Sequence, residues 1–169
     1  MSPGAAAPVC WRARLPVYFD DLDMNGHLHN SRLVTLVERA QTELFEQLGG
    51  GWTQAGQRHP DLRYVVRALQ LDFLAPVEAP GPLEVAVSAE RLGRTSAEYS
   101  FVVERDSVVV AVARRAVVKV GADGRPAPWS AGFRAAFEAL AAGRLPDASL
   151  PGAAPDGAAP AMPTRDAAS

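Results

Sequence analysis

The chain has 169 residues, 48% of them hydrophobic and 21% charged, which suits one globular domain built on one core. A formal net charge of -2 and a pI near 5.9 lack the basic footprint needed to neutralise nucleic-acid phosphates, so nucleic acid is not expected as a partner. No run approaches the roughly 18 to 20 apolar residues of a membrane span and the first residues lack a leader pattern, so neither a membrane nor an exported protein is expected, and the location reads as cytoplasmic.

Residues 1–10 are rich in Ala and Pro and read as a flexible lead-in. Cys10, the one cysteine, falls there; it excludes an internal disulfide and a cysteine-based zinc site, and is expected to be an incidental thiol before the first strand. Residues 12–19 (RARLPVYF) alternate, with Leu15, Val17 and Phe19 on one face, as in a half-buried strand. The polar stretch DDLDMNGHLHN then interrupts the pattern. From Asn30 to Leu48 the period changes: Leu33, Leu36, Val37, Ala40, Leu44 and Leu48 form one helical stripe, about 27 Å long at 1.5 Å per residue. Asn30 or Ser31 is expected to cap this helix and Gly49-Gly50-Gly51 to end it.

Four strand-like runs follow, at residues 62–75, 83–91, 96–105 and 108–120. Leu83, Val85, Val87 and Ala89 share one face of their run, and Ala97, Tyr99, Phe101 and Val103 one face of the next. Gly93-Arg94-Thr95 and Asp106-Ser107 stand where hairpin turns are needed. Connections this short require antiparallel pairing. A closing helix is predicted over 129–142, carrying Phe133, Phe137 and Leu140. Residues 144–169 hold almost no large apolar side chains and are expected to be a disordered tail, which leaves a domain over 11–143. The expected class is α+β: one apolar helix stripe covering the apolar face of an antiparallel sheet that curls around it.

The chemically dense segment is the loop between first strand and helix, holding Asp20, Asp21, Asp23, Asn25, His27, His29 and Asn30. It adjoins a helix N-terminus, whose free N–H groups favour developing negative charge. The same residue types also cap helices and shape turns, with Gly26 supplying a positive φ, so composition alone leaves both roles open. Asp20 and Asp21 would raise the pKa of Asp23 by repulsion, while the helix terminus would lower it. A zinc site built on His27 and His29 lacks further ligands, since His59 lies in another loop, and neither metal nor cofactor is expected. Ser31 lacks the G-x-S-x-G setting of a nucleophile.

The stretch VYFDDLDMNGHLHNSRLVTLVERAQTELFEQLG resembles the opening strand, loop and helix of the 4-hydroxybenzoyl-CoA thioesterase-like branch of the hotdog superfamily, in which an acid is followed three residues later by glycine; Asp23 and Gly26 hold those positions. It is also similar to plant acyl-ACP thioesterases, whose D-x-N-x-H motif is met by Asp23, Asn25 and His27. A weaker likeness continues through RYVVRALQLDFLAPVEAPGPLEV and the GRTS turn, and spans residues 12–128 in all. Leu33 stands where many relatives carry tyrosine, and Asn30 where one bacterial group carries histidine.

The resemblance implies a hotdog fold and hydrolysis of an acyl-CoA or acyl-carrier-protein thioester. Asp23 would be nucleophile or general base, and Asn25 would orient the carbonyl or water. His27 would either assist proton transfer to the thiol or pin the loop. Backbone N–H groups of Asn30, Ser31 or Gly26 would form the oxyanion hole. Arg94, Arg63 and Arg67 are candidates for coenzyme A phosphates or an acidic carrier, because the guanidinium fork matches phosphate oxygens. Glu38, where relatives also carry acids, equally fits a solvated or interface face. The family further implies a homodimer or homotetramer. Two rivals remain. A hotdog hydratase would need D-x-x-x-x-H, which neither His27 nor His29 supplies; a non-catalytic acyl-thioester-binding module would keep the pocket without needing Asp23.

Overall fold

The computed structural model describes residues 7–48 and 59–146. In chain order it contains strand β1 (Val9–Val17), helix α1 (Asn30–Gln47), strands β2 (Tyr64–Phe73), β3 (Gly81–Leu92), β4 (Ser96–Arg105) and β5 (Val108–Lys119), and helix α2 (Ala131–Ala141). Short 3-10 turns at Phe19–Asp21 and Pro60–Leu62 precede α1 and β2. The strands form one five-stranded sheet in the order β1-β3-β4-β5-β2, antiparallel throughout.

β1 and β2 lie on opposite edges although only α1 and its flanking loops separate them in sequence. The chain therefore crosses a whole sheet face between them, and α1 is the crossing. Its stripe of Leu33, Leu36, Val37, Ala40 and Leu44 is buried against the inward residues of the strands, among them Val85, Val87, Phe101 and Val103. This is the α+β hotdog architecture: a long helix held in the curve of an antiparallel sheet. α2 packs on the same side, with Phe133 and Phe137 in line with Tyr99.

The elements depart from the expected bounds in few places. β1 begins at Val9, so Cys10 lies within a strand and in the core rather than in a lead-in; its thiol donates to the Val87 carbonyl at 3.3 Å. Neither Asn30 nor Ser31 caps α1. The cap is His29, whose Nδ1 accepts from the Ser31 N–H at 3.2 Å. The glycines at 49–51 and residues 147–169 of the expected tail lie outside the described residues. At the β4–β5 hairpin, Asp106 and Ser107 both take positive φ (49° and 67°), which matches the twist a two-residue hairpin requires.

Two cations alternate inward on β5. Arg115 donates to Gln41 at 2.6 Å and to Glu38 at 2.8 Å, so Glu38 is tied to the sheet rather than free on a solvated face. Lys119 pairs with the buried Asp61, which also accepts from the Ser130 N–H at 3.0 Å and so fastens the start of α2 to the sheet.

Candidate active site

The loop between β1 and α1 is closed by its own hydrogen bonds. The Asp23 N–H donates to the His27 carbonyl at 2.7 Å, and the Gly26 N–H to the Asp23 carbonyl at 2.9 Å. Gly26 has φ of 78°, a conformation in which a Cβ is strained, and this explains glycine at that position. One carboxylate oxygen of Asp23, Oδ1, accepts from the N–H groups of Asn25 at 2.8 Å and His27 at 3.1 Å.

These bonds decide the charge of Asp23. The His27 N–H is the largest influence and lowers its pKa; partial burial opposes it, and the Asn25 N–H, the His27 ring and the Asn25 side chain reinforce it. The net direction is down, so the carboxylate is ionised at neutral pH. The contest expected between neighbouring aspartates and the helix terminus is therefore settled by donors inside the loop. Asp21 is occupied otherwise, bonded to the Tyr18 N–H at 2.9 Å and paired with Arg32 at 3.1 Å, which holds the loop against α1.

The expected oxyanion donors separate cleanly. The Gly26 N–H is taken by the Asp23 carbonyl, and Ser31 gives its N–H to His29, whose Nδ1 also lies 2.8 Å from the Ser31 hydroxyl. The Asn30 N–H, at the first position of α1, has no acceptor among the described residues.

Beside this helix start lies a cleft of about 280 Å³ lined by His27, Leu28, Asn30, Leu33 and residues 73–77. The segment after β2 is stitched to the loop by the Leu28 N–H donating to the Val77 carbonyl at 2.8 Å. Sequence reasoning missed this wall and also Glu78, whose carboxylate lies 3.5 Å from His27 Nε2. The apolar run FLAPV before two further prolines marks the wall only as the end of a strand. Asp23 and Asn25 are not lining residues of the cleft; they reach it through the loop that presents His27 and Asn30.

Arg63, Arg67 and Arg94 are exposed, and none lies near the loop of its own chain. The Arg63 and Thr95 carbonyls accept from Val120, just past β5, and from Lys119, its last residue, respectively, so Arg63 and Arg94 share one end of the sheet. The loop is at the other end, where Val17 pairs with Gly81. A ten-residue strand at ~3.3 Å per residue puts about 30 Å between those ends. Among the described residues no three His, Cys, Asp or Glu side chains converge as a metal site would need, and His59 sits by Asp61, its Nδ1 accepting from the Asp61 N–H at 3.2 Å.

A helix-wrapped antiparallel sheet with a carboxylate loop at the helix start is an arrangement defined by hotdog enzymes acting on thioesters. The thioesterase superfamily model matches residues 25–112, just over half of the chain, and the protein belongs to that superfamily. Among solved structures it is similar to a Thermus thermophilus thioesterase complexed with coenzyme A and zinc, at 27% identity and a TM-score of 0.66 over 76% of this chain and 98% of that one. A Pseudomonas aeruginosa protein gives 26% identity and a TM-score of 0.66 over 76% and 98% of the two chains. A predicted thioesterase of Bacillus stearothermophilus, at 21% identity and a TM-score of 0.68 over 77% and 95%, shares the fold. No curated protein sequence matches the chain.

Proposed function

We propose that the protein hydrolyses an acyl-CoA or acyl-carrier-protein thioester to a carboxylic acid and a thiol, with Asp23 as nucleophile or general base. The observation that carries this reading is the pairing, in one closed loop, of a carboxylate kept ionised by N–H donors with an unclaimed N–H at the helix start. The Asn30 N–H, with the helix dipole behind it, would hold the thioester oxygen as it gains charge. Asn25 then keeps the carboxylate oriented, while His27, against Glu78, borders the cleft that takes the acyl group.

The site is completed by a second copy. β2 is an edge strand whose outer side pairs with nothing among the described residues, and Val65, Val66, Phe73 and Leu74 along and just beyond it are exposed. Two β2 strands paired antiparallel about a two-fold axis would cover these apolar side chains and continue the ladder. That pairing also brings the Arg63 end of one protomer to the Phe73 end of the other. The partner's Arg63 and Arg67 then face the cleft, where the phosphates of coenzyme A or of a carrier prosthetic group would lie.

Thiol release from a panel of acyl-CoA and acyl-carrier thioesters, with wild type beside Asp23→Ala, tests the proposal. Loss of turnover in the variant supports it. Equal rates on the best substrate refute the role of Asp23, and tight acyl-CoA binding without turnover by the wild type would establish a binding module instead. A monomer at micromolar concentration in sedimentation would refute the shared site.

A further inference from the structure

We infer that Asp21 and Arg32 are the positioning pair of this site: their contact fixes the limb of the loop that carries Asp23 against the first turn of α1, and with it the place of the Asp23 carboxylate relative to the Asn30 N–H. This rests on the thioester reading above and assigns two residues that act through Asp23 and Asn30 rather than on the substrate.

The carboxylate and the N–H that must meet one thioester carbonyl stand on different limbs of the loop. Residues 21–29 form a miniature hairpin: the His29 N–H donates to the Asp21 carbonyl at 2.9 Å, Leu22 bridges Leu28, and the Asp23 N–H donates to the His27 carbonyl at 2.7 Å. The second limb is pinned on two sides, by the Leu28 N–H on the Val77 carbonyl and by running directly into α1 at Asn30. The first limb, residues 21–23, has no such seat. Leu22 on it is only partly buried, and Phe19 and Met24 to either side are 82% and 99% exposed, so apolar packing does little to hold it.

Its hold on the helix runs through Asp21, the one side-chain link from this limb to α1 among the described residues. Oδ2 of Asp21 accepts from the Tyr18 N–H at 2.9 Å, where β1 has just ended, and Oδ1 lies 3.1 Å from Arg32 Nε. Arg32 is the third residue of α1, and its own N–H is bonded to the His29 carbonyl at 2.8 Å, so the guanidinium reaches back from a fixed point. Asp21 thus joins three segments through three atoms: its carboxylate oxygens take the strand end and the helix, and its carbonyl takes the residue before Asn30. A half-exposed ion pair contributes little to global stability, so the effect of this one is local geometry. At ~3.3 Å per residue Asp23 lies about 7 Å beyond Asp21, and about 10° of twist in the limb moves the carboxylate about 1 Å. A displacement of about 1 Å costs about a hundredfold in rate.

The test measures kcat and KM on the thioester that the wild type turns over fastest. The variants are Arg32→Ala, Arg32→Lys and Arg39→Ala, the last removing an exposed cation from the same helix; thermal unfolding checks each fold. Arg32→Ala is expected to lower kcat about tenfold to a hundredfold with KM within about threefold. Arg32→Lys, which keeps a cation in reach of Asp21, recovers most of that loss, and Arg39→Ala matches the wild type. Arg32→Ala within about twofold of the wild type, an equal drop in Arg39→Ala, or a rise in KM at unchanged kcat overturns the inference.

Amide hydrogen exchange reads the same contact without turnover. In Arg32→Ala the Asp23 and His29 N–H groups, which bond the two limbs together, should exchange at least about tenfold faster, while the Leu44 N–H inside α1 keeps its rate. Asp23→Ala in the thiol-release assay separates the two ways of failing. If it keeps the wild-type rate, or the wild type releases no thiol, the thioester reading falls and exchange alone decides: faster exchange supports the pair and unchanged exchange overturns it. If Asp23→Ala is inactive while Arg32→Ala is not impaired, the thioester reading stands and the positioning pair falls.

Discussion

Asp61→Ala removes the carboxylate on which three segments converge. Asp61 is 1% exposed and receives Lys119 from β5 together with the Ser130 N–H that begins α2. The substitution leaves the Lys119 ammonium in a site where it is itself 9% exposed, and it unties the cap of α2. Breaking a buried ion pair from one side costs about 3–5 kcal/mol. At roughly 2–4 °C per kcal/mol for a domain of this size, the melting temperature falls by about 6–20 °C. Burial alone would raise the Asp61 carboxyl, but hydrogen bonds from Lys119 and Ser130 outweigh it and hold the pKa below its ordinary value. A depressed pKa contributes stability that is present above the unfolded value, near 3.9, and is lost as pH falls through the folded value. The difference between wild type and variant in thermal unfolding is therefore widest near neutrality and narrows in acid. A drop under about 3 °C at pH 7, or a gap that widens in acid, would refute this account of the clamp.

Asp23→Asn keeps an Oδ1 acceptor for the Asn25 and His27 N–H groups, so unfolding is expected to be little changed while thiol release falls about 10²–10⁴-fold; a variant at the wild-type rate excludes carboxylate chemistry. Because the wild-type carboxyl is lowered, chiefly by the His27 N–H, its activity should hold through mildly acidic pH and fall only below the ordinary aspartate range, as a pH–rate profile will show. Tyr99→Phe removes a fully buried hydroxyl that has no hydrogen-bond partner among the described residues, so urea unfolding should find it unchanged or more stable by on the order of 1 kcal/mol; a clear loss reveals a hidden partner. Burial pushes the Cys10 thiol up to about 11, so a thiol reagent at pH 7–8 should leave it intact in the native protein and label it fully in denaturant. Labelling at the rate of a free cysteine would mean that the start of β1 is not docked.

The parts legible in the sequence are those set by local period. The α1 stripe and the alternation of β4 each specify an apolar face without reference to the rest of the chain, and the Asp106-Ser107 turn sits between two such patterns. β1 was read short because Cys10 follows an Ala- and Pro-rich run whose composition hides a strand start. Arg115 and Lys119 point inward because Gln41 and Asp61, 74 and 58 positions away, receive them, and no local pattern encodes such partners. The loop was legible because its acid, amide, glycine and histidine fall within five successive positions, Asp23 to His27. Its cleft was not, since the wall at residues 73–77 arrives from the far edge of the sheet and meets the loop through one backbone bond. His29 as a cap was equally hidden, because its imidazole acts where a smaller oxygen-bearing side chain is usual.

The separation of the loop from Arg63 and Arg67 along one chain has a consequence in subunit arithmetic. In the proposed two-fold dimer each protomer lends Asp23 to one site and its arginines to the other. On that proposal a protomer lacking Asp23 and a protomer lacking both arginines are each expected to be inactive as homodimers. Mixed, they form one species in which both lesions fall in the same site and the opposite site is whole. Random reassociation makes that heterodimer about half of the population, with one working site of two, so about a quarter of wild-type activity returns from two dead preparations.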